Sequence, residues 1–209
     1  MIHPTHQQNS SNKHIPRFLS TRLTKDQFGQ LIEEVRKEGL TTICTPFDED
    51  SVDMILELGV EVVKIGSCSA TDWPLLEKIA ACDKPVIFST GGLTMKQIDD
   101  LVSFFDHRRV HFAIMHCIAL YPTPDDKLQL NQIKSLCRRY PDKVIGFSTH
   151  EAPDDYSPIQ VAVAMGARIF ERHVGVEDRG ITLNTYSGTP EKLSLIHISE
   201  PTRRYAISY

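Results

Sequence analysis

Six short apolar runs, rich in β-branched residues, recur along the chain at intervals typical of repeated β/α units. They are TTIC (41–44), VEVVKI (60–65), PVIFS (85–89), HFAIMHC (111–117), KVIGFS (143–148) and ARIFERHV (167–174). Their first residues lie 19, 25, 26, 32 and 24 positions apart, which leaves room for a crossover helix between parallel strands. We therefore predict six β/α units and a parallel sheet that is buried on both faces.

Helix start and stop signals fill the segments between these runs. Residues 24–27 (TKDQ) have the form of a capping box, and the amphipathic stretch that follows ends at Gly39. Gly59 and Gly166 are similar stops just before a predicted strand. We interpret four apolar residues of these helices as packing against the sheet: Phe28, Leu31, Leu56 and Leu58.

Charge and cysteine content exclude several classes of protein. With 23 basic and 27 acidic side chains, the net charge of −4 gives no basic face for nucleic acid or an anionic membrane. No apolar run approaches the length of a membrane span. The five cysteines contain no CxxC pair, so we expect neither a disulfide framework nor a thiolate zinc site, and we predict a cytoplasmic protein.

The two ends of the chain differ from its middle. Residues 1–20 contain His3, His6 and His14 in polar surroundings, and we interpret them as a tail or loop without function. The string LSLIHISEPTR (193–203) resembles the translation of a common sequencing adapter, so we expect residues 193–209 to be a non-native tail. Residues 21–192 then form the globular domain.

Two α/β architectures suit this pattern: a doubly wound open sheet and a β/α barrel. No GxGxxG motif follows the first strand, which removes the usual evidence for a dinucleotide fold. Each strand instead ends in polar side chains, as on the active-site face of a TIM-type (β/α)8 barrel. They are Thr45, Lys64 with Ser67, Ser89 with Thr90, His116, Ser148 with His150, and Glu171 with His173. We predict an incomplete barrel with about six of its eight units.

The polar groups at these strand ends suggest an anion site. A lysine within a buried strand, surrounded by hydroxyl groups from other strands, suits a phosphate or carboxylate. For any single serine or threonine, hydrogen bonding to the backbone at a strand end is the better explanation. For the whole set, together with Lys64, we favour the site.

Two histidines follow neighbouring strands and are the candidate metal ligands. His150 and His173 could direct two imidazole nitrogens at one divalent ion, although a hydrogen-bonded histidine pair explains them as well. We interpret Glu151 as a surface carboxylate that opens a helix, with a role as extra ligand or base as the alternative. His116, inside a buried strand, is interpreted as a core histidine.

Six motifs, in order, resemble the sialic acid synthase (N-acetylneuraminate synthase) family over about residues 16–192. They are CTPFDEDSV (44–52), KIGSCSATDWPLLEKIA (64–80), KPVIFSTGG (84–92), HCIALYPTP (116–124), GFSTHE (146–151) and FERHVG (170–175). The resemblance implies a barrel transferase that condenses phosphoenolpyruvate with an N-acetylated sugar such as N-acetylmannosamine. The products would be a sialic acid or a related nonulosonate, and phosphate.

The resemblance also implies roles for individual residues. Phosphoenolpyruvate would be held by Thr45, Lys64, Ser67, Ser89 and Ser148. Tyr121 would line the sugar side, and His150 and His173 would bind a manganese or magnesium ion that polarises the sugar aldehyde. Lys64, His150 and His173 are thus the predicted catalytic residues.

Departures from the family pattern concern the acceptor sugar and the extent of the chain. A family glutamate is Ser69 here, an asparagine is Ala119, and the GPD element is GITLNTYS (180–187). The first two strands and the C-terminal domain of the family have no counterpart, so we expect a homodimeric parent protein and an inactive fragment. Two alternatives stay open: a noncatalytic relic or sugar-phosphate-binding protein, and another metal-dependent barrel aldolase or synthase.

Overall fold

A computed structural model of the chain describes residues 15–177 and 182–199. The elements in those ranges are α1 Ile15–Ser20, α2 Lys25–Lys37, β1 Ile43–Cys44, α3 Glu49–Glu57, β2 Val62–Ile65, α4 Trp73–Ala80, β3 Val86–Ser89, α5 Met95–His107, β4 Phe112–Cys117, α6 Asn131–Arg139, β5 Val144–Thr149, α7 Ser157–Ala164, β6 Ile169–Arg172 and α8 Pro190–Ser199. Five of the six predicted runs contain a whole strand, and β5 extends one residue beyond its run, to Thr149. The histidines at positions 3, 6 and 14 lie outside the described residues.

The strands are hydrogen-bonded in chain order, β1-β2-β3-β4-β5-β6. The pairs β1–β2, β4–β5 and β5–β6 are parallel, with Cys44 opposite Val63 and Ser148 opposite Glu171. A doubly wound sheet would reverse its strand order at a switch point. The uninterrupted order confirms the α/β prediction and favours successive units of a barrel.

The predicted helix signals have the expected geometry. Thr24 Oγ1 accepts from the backbone N–H of Gln27, whose side-chain oxygen accepts from the N–H of Thr24, so the capping box is confirmed. Gly39, Gly59 and Gly166 have φ angles of 71°, 72° and 109°, which glycine adopts without steric cost.

One packing prediction for α2 is wrong. Leu31 is 52% exposed, whereas the adjacent Ile32 is only 8% exposed. Helical periodicity identifies which residues share a face, but the neighbouring elements decide how much of that face is covered. Phe28, Leu56 and Leu58 are half-buried, in partial agreement with the prediction.

The chain divides into two compact units. The first comprises residues 1–86 and 105–111 and has a core that includes Ile55, Ile65 and Leu75. The second comprises residues 87–104 and 112–209 and buries Phe88, Ile114 and Phe147. No helix in the described ranges has the length and apolar character needed to cross a membrane.

Candidate functional site

Three of the predicted phosphoenolpyruvate ligands belong to the first unit. Lys64 lies in β2 and is 9% exposed. Because Cys44 pairs with Val63, the next register position places Thr45 beside Lys64. Ser67 opens the short 3-10 helix Ser67–Ser69, and a Cβ built on the preceding Gly66 would lie 3.9 Å from Thr45 Cγ2. The three residues therefore lie at the C-terminal ends of β1 and β2.

The second unit holds the two histidines at the ends of adjacent strands. His150 directly follows β5 and is 5% exposed, and His173 directly follows β6 and is exposed. Their ring centroids are 5.2 Å apart. The parallel pairing of β5 with β6 produces this proximity, since Thr149 lies opposite Arg172, one residue before each histidine.

Tyr121, predicted to line the sugar side, lies against His150. The ring centroids of the two residues are 4.1 Å apart, and Tyr121 is 56% exposed. A backbone hydrogen bond fixes this contact, because the N–H of Thr123 donates to the carbonyl of His150 at 2.9 Å. The segment that follows β4 is thus tied to the end of β5.

The structure adds Tyr186 to the histidine pair. Its ring centroid is 5.1 Å from that of His173, 5.8 Å from that of His150 and 5.7 Å from that of Tyr121. The N–H of Gly188 donates to the carbonyl of His173 at 3.0 Å, which anchors the segment that carries Tyr186. The sequence identified residues 180–187 only as a departure from the family pattern, and no periodicity indicated where they would pack.

The donor set of this cluster fits a divalent ion in part. Imidazole nitrogen is a common ligand for divalent transition metals, and the two rings are close enough to share one ion. In the ranges 15–177 and 182–199, no three or more His, Cys, Asp or Glu side chains are grouped so that they could hold a metal. The pair would therefore supply two ligands and leave the other positions to water or substrate oxygen.

Buried hydroxyl groups and a core histidine occupy the strand ends of the same unit. Ser89 ends β3 and Ser148 lies in β5, and they are 3% and 5% exposed. Ser89 Oγ has no hydrogen-bond partner among the described residues. His116 is buried and its Nε2–H donates to the carbonyl of Leu128 at 2.9 Å, while burial lowers its pKa. The interpretation of His116 as a core histidine is confirmed.

The interpretation of Glu151 as a surface carboxylate is wrong. Its side chain is fully buried, and Arg172 Nη2, on a side chain 6% exposed, lies 3.2 Å from Glu151 Oε1. Neither carboxylate oxygen has a hydrogen-bond partner among the described residues. Burial raises the pKa of Glu151, and the charge of Arg172 opposes that rise. The local sequence Glu-Ala-Pro resembles an exposed helix start, but in the structure the Glu151 side chain is buried against Arg172.

The two positions that depart from the family on the acceptor side differ in exposure. Ser69 is buried in the first unit, at 7% exposure. Ala119 is exposed in the second unit and lines a cleft of about 480 Å³, whose wall also includes Thr90, His116 and Gln132. A side chain longer than alanine would project toward this cleft.

The chain is similar to proteins named N-acetylneuraminate-9-phosphate synthase and N,N'-diacetyllegionaminic acid synthase. It is 36% identical over 151 residues to the N-acetylneuraminate-9-phosphate synthase of Drosophila melanogaster, a match that covers 72% of this chain and 40% of the fly protein. The chain spans less than half the length of the curated relatives it matches first.

Solved structures have the same fold. A spore coat polysaccharide biosynthesis protein E from Chromobacterium violaceum superposes with a TM-score of 0.92 at 47% identity, covering 99% of this chain and 61% of that protein. The N-acetylneuraminic acid synthetase of Leptospira borgpetersenii, solved with citrate, gives a TM-score of 0.85 at 28% identity, covering 98% and 72%. The six β/α units are those of an incomplete synthase barrel.

The motifs and the fold point to the same family. The model of the NeuB family matches residues 2–196, which is most of the sequence. The chain belongs to the NeuB family.

Proposed function

We propose that this chain is the central part of a synthase that condenses phosphoenolpyruvate with an N-acetylated amino sugar to form a nonulosonate and phosphate. The observation that carries the proposal is the His150–His173 pair, 5.2 Å apart and in contact with Tyr121, in a chain of the NeuB family. In the reaction, C3 of the enol phosphate bonds to the aldehyde carbon of the open-chain sugar. Water then adds at C2, and phosphate leaves.

The residues of each unit have separate tasks in this proposal. In the first unit, Lys64 is a buried cation that neutralises a substrate anion, and Thr45 and Ser67 donate hydrogen bonds to it. In the second unit, Ser89 and Ser148 offer buried hydroxyl groups at strand ends as hydrogen-bond donors to a substrate oxygen. Fixed donors at strand ends need no reorganisation when substrate binds, and orientation of two reactants supplies a large part of the rate.

On the sugar side, we assign His150 and His173 as ligands of manganese or magnesium. Such an ion, when bound, acts as a Lewis acid that polarises the aldehyde oxygen. Tyr121 and Tyr186 would contact the acceptor, since aromatic rings offer a rigid face to a sugar ring. The relatives make different products, so the acceptor is proposed only as a class: an N-acetylated hexosamine such as N-acetylmannosamine.

Binding of phosphoenolpyruvate to the 209-residue chain tests the anion site, with isothermal titration calorimetry as the measurement. Lys64→Ala should weaken binding at least tenfold, because a charge-assisted contact contributes about 1.5–3 kcal/mol. Lys84→Ala is the matched control. Lys84 lies before the N-terminal end of β3, whereas Lys64 lies near the C-terminal end of β2. Equal losses for both variants would show nonspecific charge attraction and remove Lys64 from the site.

Turnover is measured as sugar-dependent phosphate release in the presence of manganese. The 209-residue chain should bind phosphoenolpyruvate without turnover, because it spans only part of its relatives. A chimera with residues 21–192 in the frame of the Chromobacterium violaceum protein should release phosphate with an N-acetylated hexosamine. If neither protein binds phosphoenolpyruvate, a noncatalytic role becomes the better account.

A further inference from the structure

Glu151 and Arg172 form a buried ion pair directly beside the two histidines in the sequence. Glu151 follows His150, and Arg172 precedes His173. Their side chains are 0% and 6% exposed, and the closest charged atoms are 3.2 Å apart. Each partner of the pair is therefore joined by one peptide bond to one histidine.

The strand register places this ion pair behind the histidines. In β5 and β6, Ser148 lies opposite Glu171, and Thr149 lies opposite Arg172. Successive side chains of a strand point to opposite faces, so Arg172 is on the other face from Glu171 and His173. Glu151 lies past the end of β5, and its 3.2 Å contact with Arg172 brings its carboxylate to the side of the sheet on which Arg172 lies.

Arg172 holds the end of β5 at two points. Besides its contact with Glu151, Nη2 of Arg172 donates to the carbonyl of Ala152 at 3.3 Å. Both contacts link β6 to the residues just after His150, where the β5–β6 ladder has already ended.

We infer that Arg172 and Glu151 are positioning residues that set the separation of the His150 and His173 rings. A buried pair without ideal hydrogen bonds contributes little net stability, since desolvation offsets the attraction. Residues outside the ligand set that orient metal-binding histidines typically change metal affinity about 10–100-fold when they are lost. The metal part of the inference rests on the proposed function, whereas the ring separation does not.

The test measures the ring separation without metal, in the 209-residue chain with labelled histidine. A nuclear Overhauser cross-peak between the rings of His150 and His173 reports their distance, and His150→Gln and His173→Gln identify the signals among nine histidines. We expect the cross-peak in the unsubstituted chain and in Arg139→Met, which removes an exposed ion pair of the same unit. Arg172→Met should abolish it.

Two further variants distinguish a change in ring position from a failure of the protein to fold. The double substitution Glu151→Met with Arg172→Met removes both buried charges, so it should fold and still lack the cross-peak. Arg172→Lys keeps the charge on a shorter side chain without the planar guanidinium, so a weakened cross-peak is expected. A full cross-peak in the folded double variant, or its absence from the unsubstituted chain, would overturn the inference.

Manganese binding, followed by electron paramagnetic resonance, separates this inference from the proposed function. Affinity should fall about 10–100-fold in the double variant and stay unchanged in Arg139→Met. If the unsubstituted chain binds no manganese while the cross-peak responds as expected, the metal role fails and the positioning role stands. Unchanged affinity in the double variant overturns the positioning role.

Discussion

Two arginine–carboxylate pairs of the second unit have opposite environments. On the outside, Arg139 of α6 donates from Nε and Nη2 to the two oxygens of Asp99 in α5, at 2.7 and 2.6 Å, and Tyr140 Oη donates to Asp99 at 2.6 Å. The side chains of Arg139 and Asp99 are 49% and 36% exposed. At the strand ends, Arg172 and Glu151 are almost completely buried, and the carboxylate accepts no hydrogen bond from a described residue.

The comparison shows that good geometry and a large energetic effect do not occur together. Water screens the well-formed outer pair, so its loss costs little. The inner pair has poorer geometry, but a carboxylate left without its counter-charge in a dry site is strongly unfavourable. Environment therefore decides the consequence of removing an arginine.

The largest expected effect is that of Arg172→Met. It leaves Glu151 buried without its cation, so the free energy of unfolding should fall by about 3–5 kcal/mol. Urea denaturation followed by circular dichroism measures the loss, with Arg139→Met as the control for the residue type. Adding Glu151→Met to Arg172→Met should recover most of the stability. Failure of the double variant to recover it would show that packing, and not charge, causes the loss.

A smaller effect is expected from Gly146→Ala, which tests how tightly the sheet beside the inner pair is packed. A Cβ at Gly146 in β5 would lie 2.2 Å from Met115 Sδ and 2.7 Å from the backbone oxygen of Ile169. Overpacking of this kind typically costs about 1–3 kcal/mol.

Gly29→Ala is the matched control for that variant. Its Cβ would meet Leu58 Cδ2 at an ordinary 3.4 Å in the middle of helix α2. Alanine should stabilise that helix by up to about 1 kcal/mol. Thermal unfolding measures the shift in Tm for both variants. Equal shifts for Gly146→Ala and Gly29→Ala would contradict the tight packing of β5.

The smallest effect belongs to the outer pair. Arg139→Met should lower the free energy of unfolding only slightly, and less in high salt. Hydrogen bonds from Arg139, and then from Tyr140, lower the pKa of Asp99 below its ordinary value of 3.8. Because the folded pKa is the lower one, this stability is present above about pH 4 and is lost as the pH falls through the folded pKa. The free energy of unfolding of Arg139→Met should therefore fall less as the pH is lowered. Urea titrations between pH 2 and 6 measure this difference.

Several features of the fold were predictable because they depend on local sequence. β-Branched runs and their spacing gave the six strands, and TKDQ at residues 24–27 gave the capping box. The strand ends also indicated that His150 and His173 are neighbours. Parallel pairing of β5 with β6 requires their proximity, so the order of the strands was enough to predict it.

Other features depended on contacts between segments distant in the sequence. Leu31 follows the helical pattern and is nevertheless exposed. The periodicity of a helix does not show which of its apolar residues other elements will cover. Tyr186 joins the histidines only because Gly188 binds the carbonyl of His173.

The sequence by itself determined the order of the β/α units, the chemistry at their strand ends and membership of the family. The tertiary structure alone decided the burial of Glu151, its pairing with Arg172 and the contact of Tyr186 with the histidine pair. The physical reason is that helix caps and strand runs are fixed by residues a few positions apart. Burial and charge pairing are fixed by neighbours that the chain brings together only when it folds.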